Sequence, residues 1–171
     1  MKKNFLFACL MLLGTAAFAQ KAEMGVGLNL NYGLHSDYKN FGFGGKFQYT
    51  FAALPLRAEA SANYFLKKDE CTMWDINANV HYLFGLGDKL RAYPIFGVTL
   101  LGSKVSMPAM DYGYGVEVEG EDASDTNVGI NAGAGIEYQL TNNLYIGAEV
   151  KYQIVKDWDR PVVSVGLTYV L

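Results

Sequence analysis

Eight stretches of this chain alternate apolar and polar side chains with a period of two, and no later segment offers eighteen consecutive apolar residues. A period of two sorts side chains onto two faces only in a strand, and helical membrane spans are excluded for want of length. In the first stretch Met24, Val26, Leu28, Leu30 and Tyr32 alternate with Glu23, Gly25, Gly27, Asn29 and Asn31. The second sets Phe41, Phe43, Phe47, Tyr49 and Phe51 against Gly42, Gly44, Lys46, Gln48 and Thr50. The third opposes Leu56 through Tyr64 to Arg57, Glu59, Ser61 and Asn63, and the fourth opposes Trp74 through Phe84 to Asp75, Asn77, Asn79 and His81. Leu90, Ala92, Pro94, Phe96, Val98 and Leu100 form the apolar set of the fifth, with Arg91, Tyr93, Ile95, Gly97 and Thr99 behind them. Alternation returns in Val128–Tyr138, Leu144–Ile154 and Val163–Leu171. No apolar face carries a charge, and Gly45 is its one residue without a side chain.

Connection lengths alternate as well. Ala52–Pro55, Gly85–Lys89 and Thr141–Asn143 are short; Leu34–Asn40, Lys67–Met73, Ser103–Thr126 and Lys156–Arg160 lie on the other side, with Ser103–Thr126 the longest. Short periplasmic turns and longer extracellular loops are the signature of a transmembrane meander. Two closed barrels share the alternation, one with apolar faces inward around a ligand and one with them outward toward lipid. Volume separates them: an eight-stranded interior is just wide enough for side chains or one small ligand, and it cannot admit five aromatics from the second strand alone. The fold expected is an all-β, eight-stranded antiparallel up-and-down transmembrane β-barrel. Aromatic residues agree, with Tyr32, Phe41, Tyr64, Trp74 and Tyr152 near the outer rim and Phe51, Tyr82, Phe84, Tyr138 and Tyr169 near the inner. Every backbone group in hydrocarbon must pair, so Pro94, which lacks a ladder donor, is expected to create a bulge or locally irregular pairing.

Residues 1–19 read as a separate object: Lys2 and Lys3, an apolar run from Phe5 to Leu13, then Ala17, Phe18 and Ala19 as a small-x-small cleavage site. The chain is expected to be exported, cleaved before Gln20, and left with one domain spanning residues 20–171. Losing two lysines leaves 12 basic against 17 acidic side chains, and no basic patch suggests nucleic acid. Cys71 then has no partner for an intramolecular disulfide and is expected to be an incidental loop thiol.

Inward positions carry Glu23, Glu59, Asp75, Glu137 and Glu149 against Lys46, Arg57, Arg91 and Lys151, with His81 near the inner rim. Unpaired ions in a narrow interior are costly, so these residues are expected to form a salt-bridged plug. Lys46, Arg57, Glu59, Glu149 and Lys151 belong near mid-depth, flanked by Arg91 and Glu137.

Given these residues, the chain resembles the OmpA/OmpX-like family of small eight-stranded outer-membrane barrels over essentially its whole mature length. The most specific likeness is the end, where Ser164, Gly166, Tyr169 and terminal Leu171 are similar to the family's C-terminal assembly signal. Leu171 stands where the family ordinarily ends on an aromatic. Tyr93, Pro94 and Gly97 also resemble a recurring strand of the family. The resemblance implies a Gram-negative outer membrane, contact with its lipid and lipopolysaccharide, and insertion machinery that reads the C-terminal signal. It does not fix a function, because family members serve adhesion, envelope stabilisation or small-solute passage.

Some small outer-membrane barrels modify lipid A by acyl transfer, which draws attention to His35, Ser36 and Asp37 in the first outer loop. Three consecutive residues do not readily converge on one nucleophile, and no enzyme activity or cofactor is expected. The third outer loop is the better candidate. It carries Asp111, Glu117, Glu119, Glu121, Asp122 and Asp125 with Lys104 as its one base, and Tyr112 and Tyr114 alternate with glycine as if the flanking strands continued into a hairpin. Protruding strand edges pair with partner strands; the rival reading is a solvated acidic loop that only resists aggregation. Its carboxylates do not follow calcium-loop spacing. The function expected is therefore structural or adhesion-like, exercised by a monomer with a surface ligand at residues 103–126. A narrow porin-like pore is the alternative, and a lipid A-modifying enzyme stands third.

Overall fold

The computed structural model describes residues 22–34, 39–68, 71–106, 110–111, 117–118 and 122–171. The expected leader and the His35–Asp37 triplet lie outside these residues. Eight long strands make the barrel: β1 (Glu23–Leu34), β2 (Lys39–Thr50), β3 (Leu56–Lys68), β4 (Cys71–Tyr82), β5 (Leu90–Ser106), β6 (Asp122–Gln139), β7 (Leu144–Val155) and β8 (Arg160–Val170). Each pairs antiparallel with its sequence neighbours, and β8 returns to β1 from Gly25↔Val170 to Gly33↔Val162. Closure removes the free edges that hydrocarbon does not tolerate.

The faces point as the alternation requires. Leu28, Leu30, Phe41 and Phe96 are 74%, 71%, 68% and 64% exposed on the outside, while Lys46, Arg57, Glu59, Asn77 and Asn131 are buried within. Such an apolar exterior is tolerable only against lipid. At the outer rim Tyr32 and Phe41 are cross-strand partners whose ring centroids lie 4.6 Å apart, and Tyr64 pairs with Trp74. Tyr82 and Phe84 approach to 4.7 Å at the inner rim.

The interior is packed by a cross-strand rule: a large inward side chain lies over a glycine directly opposite it. Asn63 pairs with Gly44, Asn79 with Gly97, Asn29 with Gly166 and Tyr93 with Gly135. A Cβ on Gly135 would lie 2.4 Å from the Tyr93 ring, so the glycine is the space the ring occupies. In the inner turn after β4, Gly87 has φ 148°, a conformation that side chains oppose.

Several boundaries differ from the expected ones. Most of the expected loop Lys67–Met73 is strand instead: β3 runs to Lys68 and β4 starts at Cys71, with a register shift between Phe65 and Lys68 that lets the ladder continue. Cys71 is therefore no loop thiol but a fully buried residue packed with Phe65, Met73 and Val162. The third outer loop is shorter than residues 103–126, since β5 and β6 stay paired to Ser106↔Asp122. Pro94 makes no bulge, but it does bring the locally irregular pairing that is the other expectation. It holds register with Ala134 of β6, and the irregularity falls on the other side, where β4 ends at Tyr82 and pairing resumes at Phe84↔Ala92. Leu83 lies in the gap and donates its N–H to the carbonyl of Pro55 at 2.7 Å.

Candidate functional site

Two polar networks fill the barrel beneath an apolar outer mouth. Their long side chains fit because small residues oppose them: Lys46 pairs with Gly27, and a Cβ there would lie 3.1 Å from Lys46 Cγ.

The lower network joins strands across the lumen. Lys46 Nζ donates to Glu149 Oε1 at 3.2 Å and stands 3.9 Å from Glu59 Oε2. Glu59 also accepts from Gln48 at 2.8 Å and Asn79 at 3.2 Å. Arg57 Nη1 reaches Glu137 Oε2 at 2.7 Å, and Arg91 Nη1 lies 3.7 Å from Glu137 Oε1. Tyr93 ties these pairs together. Its hydroxyl donates to Glu149 at 2.9 Å, the Arg57 guanidinium sits 4.6 Å over its ring, and His81 stacks on it at 4.8 Å. The pairs Lys46–Glu149 and Arg57–Glu137 connect β2 to β7 and β3 to β6, strands that share no ladder. Removing one partner of such a pair strands a buried charge.

The upper network centres on Asp75. Its Oδ1 accepts from Asn63 at 2.6 Å and Asn77 at 2.7 Å; its Oδ2 accepts from Gln153 at 3.0 Å and Arg160 at 3.1 Å. Four donors satisfy a carboxylate's lone pairs. Arg160 was missed because the expected loop ended on it, yet it occupies the next inward position after Ser164 and Val162. It is 1% exposed, lies 4.1 Å over Phe65, and also donates to Gln153 Oε1 at 2.8 Å. Extending the alternation of β8 back from Val163 by three residues would have found it.

Lys46, Arg57, Glu59, Arg91, Glu137 and Glu149 are thus brought into one set of contacts. Lys151 is buried on the same inner face but comes within ion-pair distance of no described carboxylate, which departs from its expected place in the salt-bridged set. Near the inner end, Arg57, Arg91, Glu137 and Tyr145 line a cavity of about 10 Å³, room for a single water.

At the C-terminus Ser164 Oγ donates to Asn31 at 2.6 Å, Gly166 lies opposite Asn29, and Tyr169 and Leu171 point outward at 52% and 71% exposure. At the outer end, Asp111 pairs with Glu117 and Met110 with Val118 in a two-residue ladder beyond the barrel. Tyr112, Tyr114, Glu119 and Glu121 lie outside the described residues.

A closed eight-stranded meander with an apolar exterior, aromatic rims and a polar core is a small transmembrane barrel of the outer-membrane type. The family model "Outer membrane protein beta-barrel domain" matches residues 5–170, and the chain belongs to that family. The protein is accordingly one of the Gram-negative outer membrane. Its fold is shared with Neisserial surface protein A (TM-score 0.66, 17% identity, covering 88% of this chain and 99% of that one). It is shared also with the N-terminal β-barrel domain of Pseudomonas aeruginosa OprF (0.62, 17%, 88% and 100%). The attachment invasion locus protein Ail of Yersinia pestis is a third similar structure (0.60, 16%, 88% and 97%). No curated protein matches the sequence.

Proposed function

We propose that this barrel is a surface-interaction protein, a rigid membrane scaffold whose β5–β6 hairpin pairs with an extended, basic segment of a partner. The observation that carries the reading is an open strand edge. β6 pairs with β7 only from Gly129 to Gln139, whereas its pairing with β5 continues out to Asp122. Gln139 donates its N–H to Lys89 and Leu140 donates to Leu144. The backbone groups of even-numbered residues in β6 therefore face the β7 side, and those of Asp122, Ser124, Thr126 and Val128 face it beyond the last described pairing. Such an edge accepts an added strand.

Charge selects the partner. Asp125 Oδ1 accepts the Thr126 N–H at 2.9 Å, which holds a carboxylate on the edge. A carboxylate there repels a second copy of the same edge and favours a strand carrying Lys or Arg. Ail is a protein of attachment by name and was solved with the heparin analogue sucrose octasulfate; the acidic hairpin here favours a ligand of the opposite charge. The filled interior favours this reading over a narrow pore.

The test uses cells displaying the protein. Deleting Tyr112–Glu121, or replacing Ser124 with Pro, removes the hairpin tip or an edge donor while leaving the β5–β6 ladder in place. Heat-modifiable folding should persist and attachment to host or neighbouring-cell surfaces should fall. Unchanged attachment by the folded variants would refute the proposal.

A further inference from the structure

The open edge of β6 has a floor. β7 last pairs with β6 at Val155↔Gly129, and Lys156 follows level with Val128, so the rungs from Asn127 to Asp122 form a slot that continues the column of β7. At ~3.4 Å per residue the slot is about 20 Å long, the length of one ordinary strand. The turn from β7 to β8 closes it from below. Trp158 donates its N–H to the carbonyl of Val155 at 2.9 Å, and Val155 donates its own to Asp159 Oδ1 at 2.8 Å, which fixes the turn at the foot of the slot.

A strand entering the slot cannot run on downward. β7 fills the column beneath it, the apolar cluster of Phe65, Cys71, Met73 and Val162 with Trp158 against it fills the lumen side, and Tyr152 and Ile154 face lipid on the other. One end of the entering chain therefore stops at the turn. β6 runs inward from Asp122 to Gln139, so an antiparallel strand begins at the turn with its N-terminus, whereas a parallel one ends there with its C-terminus. Antiparallel pairing is the stronger of the two per residue, and charge makes the same choice. Asp157 and Asp159 are both exposed on the turn. The neighbouring cations are turned away or used: Lys156 continues the outward parity of Tyr152 and Ile154, Arg160 is buried on Asp75, and Lys104 lies on β5 across the hairpin, in the ladder with Ser124. An α-ammonium at the foot of the slot meets two carboxylates, which would repel an α-carboxylate.

We propose that the slot takes the free N-terminus of a partner protein as an antiparallel strand, with its α-amine at Asp157 and Asp159 and a lysine or arginine as its third residue. The proposal rests on the strand-edge reading above and names which part of a partner is bound. With the first residue opposite Asn127, the third lies opposite Asp125. The Asp125 carboxylate accepts one hydrogen bond at each oxygen, from the Thr126 N–H and from Asn127 Nδ2, which leaves lone pairs for a cation directly across the sheet. The Thr126 N–H is thereby occupied, so the ladder to the entering strand is made by the Thr126 carbonyl and by both backbone groups of Ser124.

The test is fluorescence anisotropy with the full protein in phosphatidylcholine nanodiscs. The probes are three heptapeptides, labelled at an amidated C-terminus, that alternate valine and threonine around a lysine in third place: one with a free amine, one N-acetylated, and one with a free amine and glutamate in place of the lysine. The free-amine lysine peptide should bind about tenfold more tightly than either of the others. Asp157→Asn/Asp159→Asn, which keeps an amide oxygen for the Val155 N–H, should abolish the difference between free and acetylated forms, and Ser124→Pro should weaken both. Equal binding of free and acetylated peptides, or a difference that survives in the double variant, would overturn the N-terminal assignment while leaving the strand edge in place. Equal binding of the glutamate peptide would overturn the assignment of the third residue. No binding of any peptide to the folded wild type would overturn the strand-edge reading and the proposal with it.

Discussion

Gly44 and Gly45 are adjacent on β2 but face opposite ways, and replacing each with alanine separates interior packing from every other property of the strand. A Cβ on Gly44 would sit 2.1 Å from Asn63 Oδ1 and 2.3 Å from the carbonyl oxygen of Ala62. The carbonyl is backbone of the neighbouring strand and cannot rotate away. Asn63 can move only by giving up its bonds to Asp75 at 2.6 Å and Asn31 at 2.9 Å. Overpacking costs about 1–3 kcal/mol and each hydrogen bond lost about 1 kcal/mol, more to a charged acceptor. Gly44→Ala should therefore lower stability by about 3–5 kcal/mol. A Cβ on Gly45 meets nothing closer than the Gly27 carbonyl at 3.8 Å and points at lipid. Gly45→Ala should stabilise by about 0.5–1 kcal/mol through lost backbone freedom in the unfolded chain. Both are measured by urea unfolding in lipid vesicles, read by heat-modifiable mobility and by Trp74 and Trp158 fluorescence. A Gly44→Ala protein within about 0.5 kcal/mol of the wild type, or two variants equally destabilised, would refute the packing argument.

Arg160→Met leaves Asp75 buried without its cation and should cost about 3–5 kcal/mol. Arg160→Met/Asp75→Asn should recover part of the loss, and strictly additive effects in a double-mutant cycle would count against the coupling. In planar bilayers the wild type should show no steady unitary conductance; stable currents that change with Lys46→Gln or Glu149→Gln would favour the pore. Tyr169→Ala should reduce the amount of barrel assembled in cells while leaving refolding into vesicles intact. An equal fall in both settings would make Tyr169 a packing residue rather than part of an assembly signal.

Alternation by itself determined the strand count and which face of each strand meets lipid, and the alternating connection lengths pointed to the meander. A strand has one period and a closed barrel has one inside, so Lys46, Arg57, Glu59, Glu137 and Glu149 were legible as inward residues from parity alone. Their partners were not. Lys46 meets Glu149 and Arg57 meets Glu137 across the lumen, 103 and 80 residues apart in sequence, and which strand stands opposite which depends on closure and stagger that no local pattern carries. The same limit hid Arg160, the buried place of Cys71 and the true length of the third loop. Polar residues near a strand end read as loop until the neighbouring strand is seen to continue the ladder. The tertiary structure also decided that Pro94 interrupts one ladder without shifting register, since His81↔Ile95 and Phe84↔Ala92 on either side of it keep the same offset. It likewise decided which glycines are filled by a neighbour's side chain and which merely face lipid, since that depends on the residue directly across the sheet.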